Sequence, residues 1–166
     1  MRILLYAALV LTVVPIQTTL LNHVSILDVR PDLGLIAVCL VGFFGGELDG
    51  LLLGVILGWS QDLLSAGELW MNVVSKGGAG FFAGLAGRHL AHITPTVLLI
   101  GLALISCLSS LALVSSMKVS DWDVIWHAIH SKILIQGILD AAVGTAVYWL
   151  FMRRSVADQM AIGDRY

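Results

Sequence analysis

Charge is what this sequence has least of. Only 12% of its 166 residues are Asp, Glu, Lys or Arg, about half the share expected of a water-soluble domain. The nine basic and eleven acidic residues leave a net charge of -2, which excludes the clustered Lys and Arg of a nucleic-acid footprint. Cysteine is nearly absent. Cys39 and Cys107 each lie inside an apolar run, so both read as small buried hydrophobes rather than as a disulfide or a metal pair. The chain also lacks G-x-S-x-G, H-E-x-x-H and G-x-x-x-x-G-K-[ST], and no acid pair stands at the helical spacing an intramembrane hydrolase would need. No catalytic residue, cofactor or metal ligand is therefore assigned. Ser106, Ser109 and Ser110 read as bonding to the preceding turn or as bridging helices.

What is abundant is apolar. Hydrophobic residues make up 58% of the chain and the mean hydropathy is +0.95, the composition of an all-α integral membrane protein. Arg2 is followed by a long apolar run without an A-x-A-like cleavage pattern, which reads as a retained first span kinked at Pro15. The hydropathy pattern predicts one transmembrane domain over 1–166, with spans at about 3–21, 31–46, 49–65, 70–87, 95–117 and 132–152. The second and third are short, reaching only about 25 Å of a hydrocarbon core roughly 30 Å thick. They are expected to form a hairpin turning at Gly45-Gly46-Glu47-Leu48-Asp49, with Pro31 and Asp32 in the opening turn of the second helix. Six spans put both termini on one side. Arg2, Arg88, Arg153, Arg154 and Arg165 would share that side against Arg30, Lys118 and Lys132 on the other, which makes the termini cytoplasmic.

Glycine is the second abundance. In GFFGGELDGLLLGVILGWSQD, residues 42–62, Gly42, Gly46, Gly50, Gly54 and Gly58 recur at every fourth position, and Gly80 and Gly84 repeat the spacing later. Each would cost about 1 kcal/mol relative to alanine in a water-exposed helix. The large apolar residues between them exclude a flexible linker. Small residues four apart let helix backbones approach closely, either within this chain or against another protein's helix. Because four residues overshoot a turn by about 40°, the ridge is expected to wind around the hairpin rather than mark one flat face.

Polar side chains inside apolar spans are the third signal, since an acid or a lysine near a helix centre costs roughly 2.5 to 3.5 kcal/mol on insertion. Asp62, Asn72, Lys76, Gln136 and Asp140 fall at similar depths near one end of their spans. They could pair with one another and hold helices together, line a ligand or proton pathway, or meet a partner. Between the last two spans, SDWDVIWHAIHSK places Trp122, Ile125, Trp126 and Ile129 at i, i+3, i+4 and i+7, which predicts an interfacial helix over about 120–130 anchored by Trp122 and Trp126. His127 and His130 on that helix could approach a metal with Asp121 or Asp123, but the spacing provides no fixed third ligand.

These features together resemble one family. Pro31-Asp32 opening a span, the glycine-stepped hairpin, and QDLLSAGELWMNVVSKGGAGFFAGLAG at 61–87, with its Asp62-Leu63-Leu64-Ser65 tetrad followed by Asn72 and a small-residue helix, look like the rod shape-determining protein MreD family of bacteria. After the Ser65-Ala66-Gly67 turn, Trp70 stands where that pattern would carry a glycine or other small residue. The resemblance implies a non-catalytic scaffold of the cell-elongation machinery in the bacterial cytoplasmic membrane. It also implies binding to MreC and, through MreC, to RodA, the class B penicillin-binding transpeptidase and the MreB filament. The implied fold is similar to the six-helix S-components of energy-coupling-factor transporters. A true S-component, binding a vitamin or metal near Asp62, Lys76 and Asp140, is the alternative function.

Overall fold

Pro15 ends the first helix. A computed structural model describes the chain over residues 2–20, 29–64, 70–89, 94–116 and 132–163. In it α1 runs Arg2–Pro15 and passes directly into a π turn, Ile16–Leu20. Proline cannot donate the next helical hydrogen bond, and widening to a π turn absorbs the loss. The Thr19 hydroxyl donates to the Pro15 carbonyl at 2.5 Å.

Among the described residues five more helices follow: α2 Leu33–Gly45, α3 Glu47–Leu64, α4 Met71–His89, α5 Pro95–Ser116 and α6 Leu134–Gly163. The protein is all-α, with no strand among the described residues. Among those residues, no helix is long and apolar enough to cross a membrane. The expected interfacial helix at about 120–130, with Trp122 and Trp126, lies outside the described residues.

Two local expectations are corrected. Asp32 is the N-cap of α2 rather than a residue of its first turn: its carboxylate accepts from the Leu35 amide at 3.0 Å, satisfying an amide with no partner inside the helix. The α2–α3 turn is one residue, not five. Gly46 alone joins the helices at φ +101°, a backbone state that suits glycine because it has no Cβ. Glu47 and Asp49 consequently lie in the first turn of α3, where acids oppose the positive end of the helix dipole. Arg88, in the last turn of α4, donates to Glu47 at 3.1 Å.

The middle of the bundle is α2, which touches each of the other five helices. A helix surrounded in this way should be apolar around its whole circumference, and LGLIAVCLVGFFG is. One face packs Leu35, Cys39 and Phe43 against Ala79 and Ala83 of α4, Leu98 and Leu102 of α5, and Ala141 of α6. The other carries Val38 against Leu53 and Leu57 of α3 and Val14 of α1. Cys39 is buried and free, as is fitting for a small core hydrophobe.

Candidate functional site

The glycine repeat is where three backbones meet. A Cβ added to Gly42, Gly50, Gly54, Gly58, Gly80 or Gly84 would come within 3.0 Å of another helix's backbone. Gly42 of α2 and Gly50 of α3 both face the Gly80 carbonyl of α4, Gly54 faces Lys76 and Gly77, and Gly58 faces Asn72 and Val73. The three α3 glycines thus follow α4 along its length. The expected winding of the ridge is corrected: Gly50, Gly54 and Gly58 stay against one neighbour because the helices track each other. Gly46 is a second correction, since nothing lies within 4 Å of its virtual Cβ and its role is the turn.

At the end of the bundle opposite that turn, buried and half-buried polar side chains form a continuous network. Its hub is Asp32. Lys76 Nζ donates to Asp32 Oδ2 at 2.6 Å, and Gln17 Nε2 donates to Asp32 Oδ1 at 3.0 Å. The Asp32 amide donates to Asp140 Oδ1 at 2.8 Å. Gln17, carried inward on the π turn, accepts from the Gln61 side chain at 2.9 Å and from the Gly34 amide at 3.1 Å. Gly34 leaves the space: a Cβ there would sit 3.0 to 3.2 Å from Gln61, Lys76 and Asp32.

Asp140, 1% exposed, completes one side of the network. Ser106 Oγ donates to it at 2.5 Å and Gln136 Nε2 at 3.2 Å, and Gln136 Nε2 also lies 2.6 Å from the Arg30 carbonyl. Asp62 completes the other side, using both oxygens on the start of α4. It accepts from the amides of Trp70 at 3.1 Å and of Asn72 and Val73 at 3.2 Å, and from Asn72 Nδ2 at 2.8 Å. A helix start leaves amides without intrahelical partners, and a buried carboxylate is a strong acceptor for them. Asn72 Oδ1 turns to Lys76 Nζ at 3.4 Å and links this cap to the hub.

The structure therefore brings together all five polar residues singled out in the sequence and adds four more: Asp32, Gln17, Gln61 and Ser106. Lys76 is not the direct counter-ion of Asp62 or Asp140, as a simple pairing among the three would have it. Its ion pair is with Asp32. The sequence signal for Asp32 points only to the start of a helix, a place it also fills as the N-cap of α2. A lysine buried inside an apolar helix needs an acid at its own level, and Asp32, capping the neighbouring α2, stands there.

What this arrangement can do chemically is hold helices in register. Each of the six helices or its flanking turn contributes a side chain: Gln17, Asp32, Gln61 with Asp62, Asn72 with Lys76, Ser106, and Gln136 with Asp140. Among the described residues, no group of three or more His, Cys, Asp and Glu is placed to hold a metal ion. An open groove of about 330 Å³ lies elsewhere, between α4 and α5 over Phe43 of α2, and is lined by apolar side chains including Phe82, Val97, Ile100 and Leu104. Compared with protein-family models, curated proteins and solved structures, the chain gives no match.

Proposed function

We propose that this chain is a non-catalytic scaffold of the bacterial cell-elongation machinery, an MreD-like protein seated in the cytoplasmic membrane with both termini inside. In this reading it binds MreC, and through MreC it reaches RodA, the class B penicillin-binding transpeptidase and the MreB filament. The observation that carries the reading is the six-helix polar network. Lys76, Asp62, Asp140 and Ser106 are at most 5% exposed, and their polar atoms are engaged by other parts of the same chain. An S-component would need such groups turned toward a ligand. Groups spent on internal bonds instead favour a body whose work is to keep a fixed shape for partners.

Membrane residence draws its support from the distribution of apolar surface. Leu11, Leu48, Leu63, Leu64, Val74, Phe82, Leu108 and Ile138 are all more than 60% exposed, while the charges of the network point inward. That distribution favours apolar surroundings over water. Helices as short as α2, at 13 residues, rise only about 20 Å. A bilayer accommodates a shortfall of this kind by local thinning, at fractions of a kcal/mol per Å of mismatch.

The test is co-purification. A tagged copy extracted from native bacterial membranes should bring down MreC, identified by mass spectrometry. Recovery of a transporter ATPase with its membrane scaffold would establish the S-component reading in its place, and recovery of neither would overturn the proposal.

A further inference from the structure

Among the described residues, Trp70 is the single non-glycine residue with positive φ, at +85°. A bulky L-residue is strained there, whereas glycine is not. Such strain persists only when the surroundings impose it. Here they do. The buried carboxylate of Asp62 accepts from the Trp70 amide, and the same carboxylate holds Asn72 and Val73 just beyond.

Burial of the indole is not what the strained conformation provides. Trp70 is 59% exposed, and its neighbour Trp59, reaching across from α3, is 45% exposed. The two rings meet edge to face with centroids 5.1 Å apart. Leu63, Leu64 and Val74, each within five residues of one of the indoles along the chain, are each at least 65% exposed. Asp62, the one acid of this stretch among the described residues, is buried, so the described side chains of the patch are two indoles and three aliphatic groups.

The position of the patch identifies its occupant. It lies where α3 ends and α4 begins, the level at which backbone amides leave the helical ladder and are taken up by the polar network. An indole has an apolar body and one N–H donor, and it is most stable where an apolar medium gives way to a wet one. We propose that Trp59 and Trp70 seat this end of the bundle in the interfacial layer of a phospholipid bilayer. Asp62 is the positioning residue that keeps Trp70 in the conformation presenting its indole there. The inference rests on the membrane reading given above.

The experiment uses the full chain as two single-tryptophan variants, one keeping Trp59 and one keeping Trp70, with the other tryptophans replaced by phenylalanine. Each is reconstituted into phosphatidylcholine vesicles whose acyl chains carry bromine at graded depths. Flotation comes first: protein that fails to float with the vesicles overturns both the membrane reading and this inference. For floating protein, fluorescence of both tryptophans should be quenched most by the shallowest bromines. Floating protein whose two tryptophans are unquenched, or quenched most by deep bromines, overturns the inference alone and moves the patch to a protein contact or to the lipid interior. Adding Asp62→Asn to the Trp70-only variant should alter the depth profile of Trp70, while the same change leaves that of Trp59 in place. Equal profiles with and without the carboxylate would remove Asp62 from the proposal. Trp70→Gly in the full chain should melt in detergent no lower than the parent, because it relieves strain. A lower melting temperature would mark Trp70 as a structural residue and overturn its anchoring role.

Discussion

The α3–α4 contact and the α5–α6 contact are both lined with glycine, but the glycines are used differently. Along α3–α4, the virtual Cβ atoms of Gly50, Gly54 and Gly58 run into backbone, which cannot move without displacing a helix. Along α5–α6, Gly137 meets the sulfur of Cys107 first and backbone, the Ala103 carbonyl, only at 3.3 Å, and Gly144 meets the tip of Leu102, a side-chain end that can shift. The polar elements at the two contacts also differ. α3 is tied to the start of α4 by the Asp62 carboxylate, and α4 in turn to the start of α2 by the Lys76–Asp32 ion pair, whereas α5 is tied to α6 by one hydroxyl, Ser106, donating to Asp140. The same residue types thus build one contact that admits a single geometry and another with room to adjust.

The largest effect should come from the ion pair. Lys76→Met leaves Asp32, whose side chain is 24% exposed, without its counter-ion; breaking a fully buried pair costs about 3–5 kcal/mol, and the loss here should approach the lower end. The variant should show a strongly lowered melting temperature in detergent. Adding Asp32→Asn should recover part of the loss. Recovery by Asp62→Asn or Asp140→Asn to the same extent would show that the ion pair is not confined to Asp32.

The glycine comparison is tested directly next. Gly54→Leu forces a side chain against the Lys76 carbonyl and Gly77, and overpacking costs about 1–3 kcal/mol or more where backbone must shift. Folding yield and the size-exclusion profile should both deteriorate. Gly54→Ala should still destabilise. Gly144→Ala should lie within about 1 kcal/mol of the parent, since Leu102 can yield and alanine is the better helix former. Similar losses for the two alanine variants would erase the distinction between rigid and adjustable contacts.

A smaller effect is expected at the hydroxyl. Ser106→Ala removes one donor from Asp140 but leaves the Asp32 amide and Gln136 in place, so about 1.5 kcal/mol should be lost. A loss as large as that of Lys76→Met would place the weight of the network on α5–α6. The smallest change, of opposite sign, belongs to Gly78. Nothing lies within 4 Å of its virtual Cβ, so Gly78→Ala should raise stability by about 0.4 to 1 kcal/mol through a less flexible unfolded chain. A clear loss there would mean that this face of α4 is not open.

Local patterns told much of this in advance. Apolar runs separated by polar marks are produced by contiguous residues, so the number and order of the helices among the described residues were legible along the chain, from Arg2–Pro15 through Leu134–Gly163. So was the close packing implied by glycines four apart, because a surface without Cβ atoms is a property of one helix. The inward place of Asp62, Lys76 and Asp140 could also be read, since such groups do not belong among leucines unless they are paired. What the sequence could not decide was the pairing. Lys76 meets Asp32 across 44 positions, and the Asp32 amide meets Asp140 across 108. Both Asp62 and Asp140 were chemically adequate alternatives for the lysine. Nor could it reveal that Gly46 alone makes a turn expected to take five residues, or that Trp70 occupies a left-handed backbone state. Periodicity is a property of neighbouring residues, but ion-pair choice and turn geometry depend on where α2 settles among five other helices, and only tertiary packing decides that.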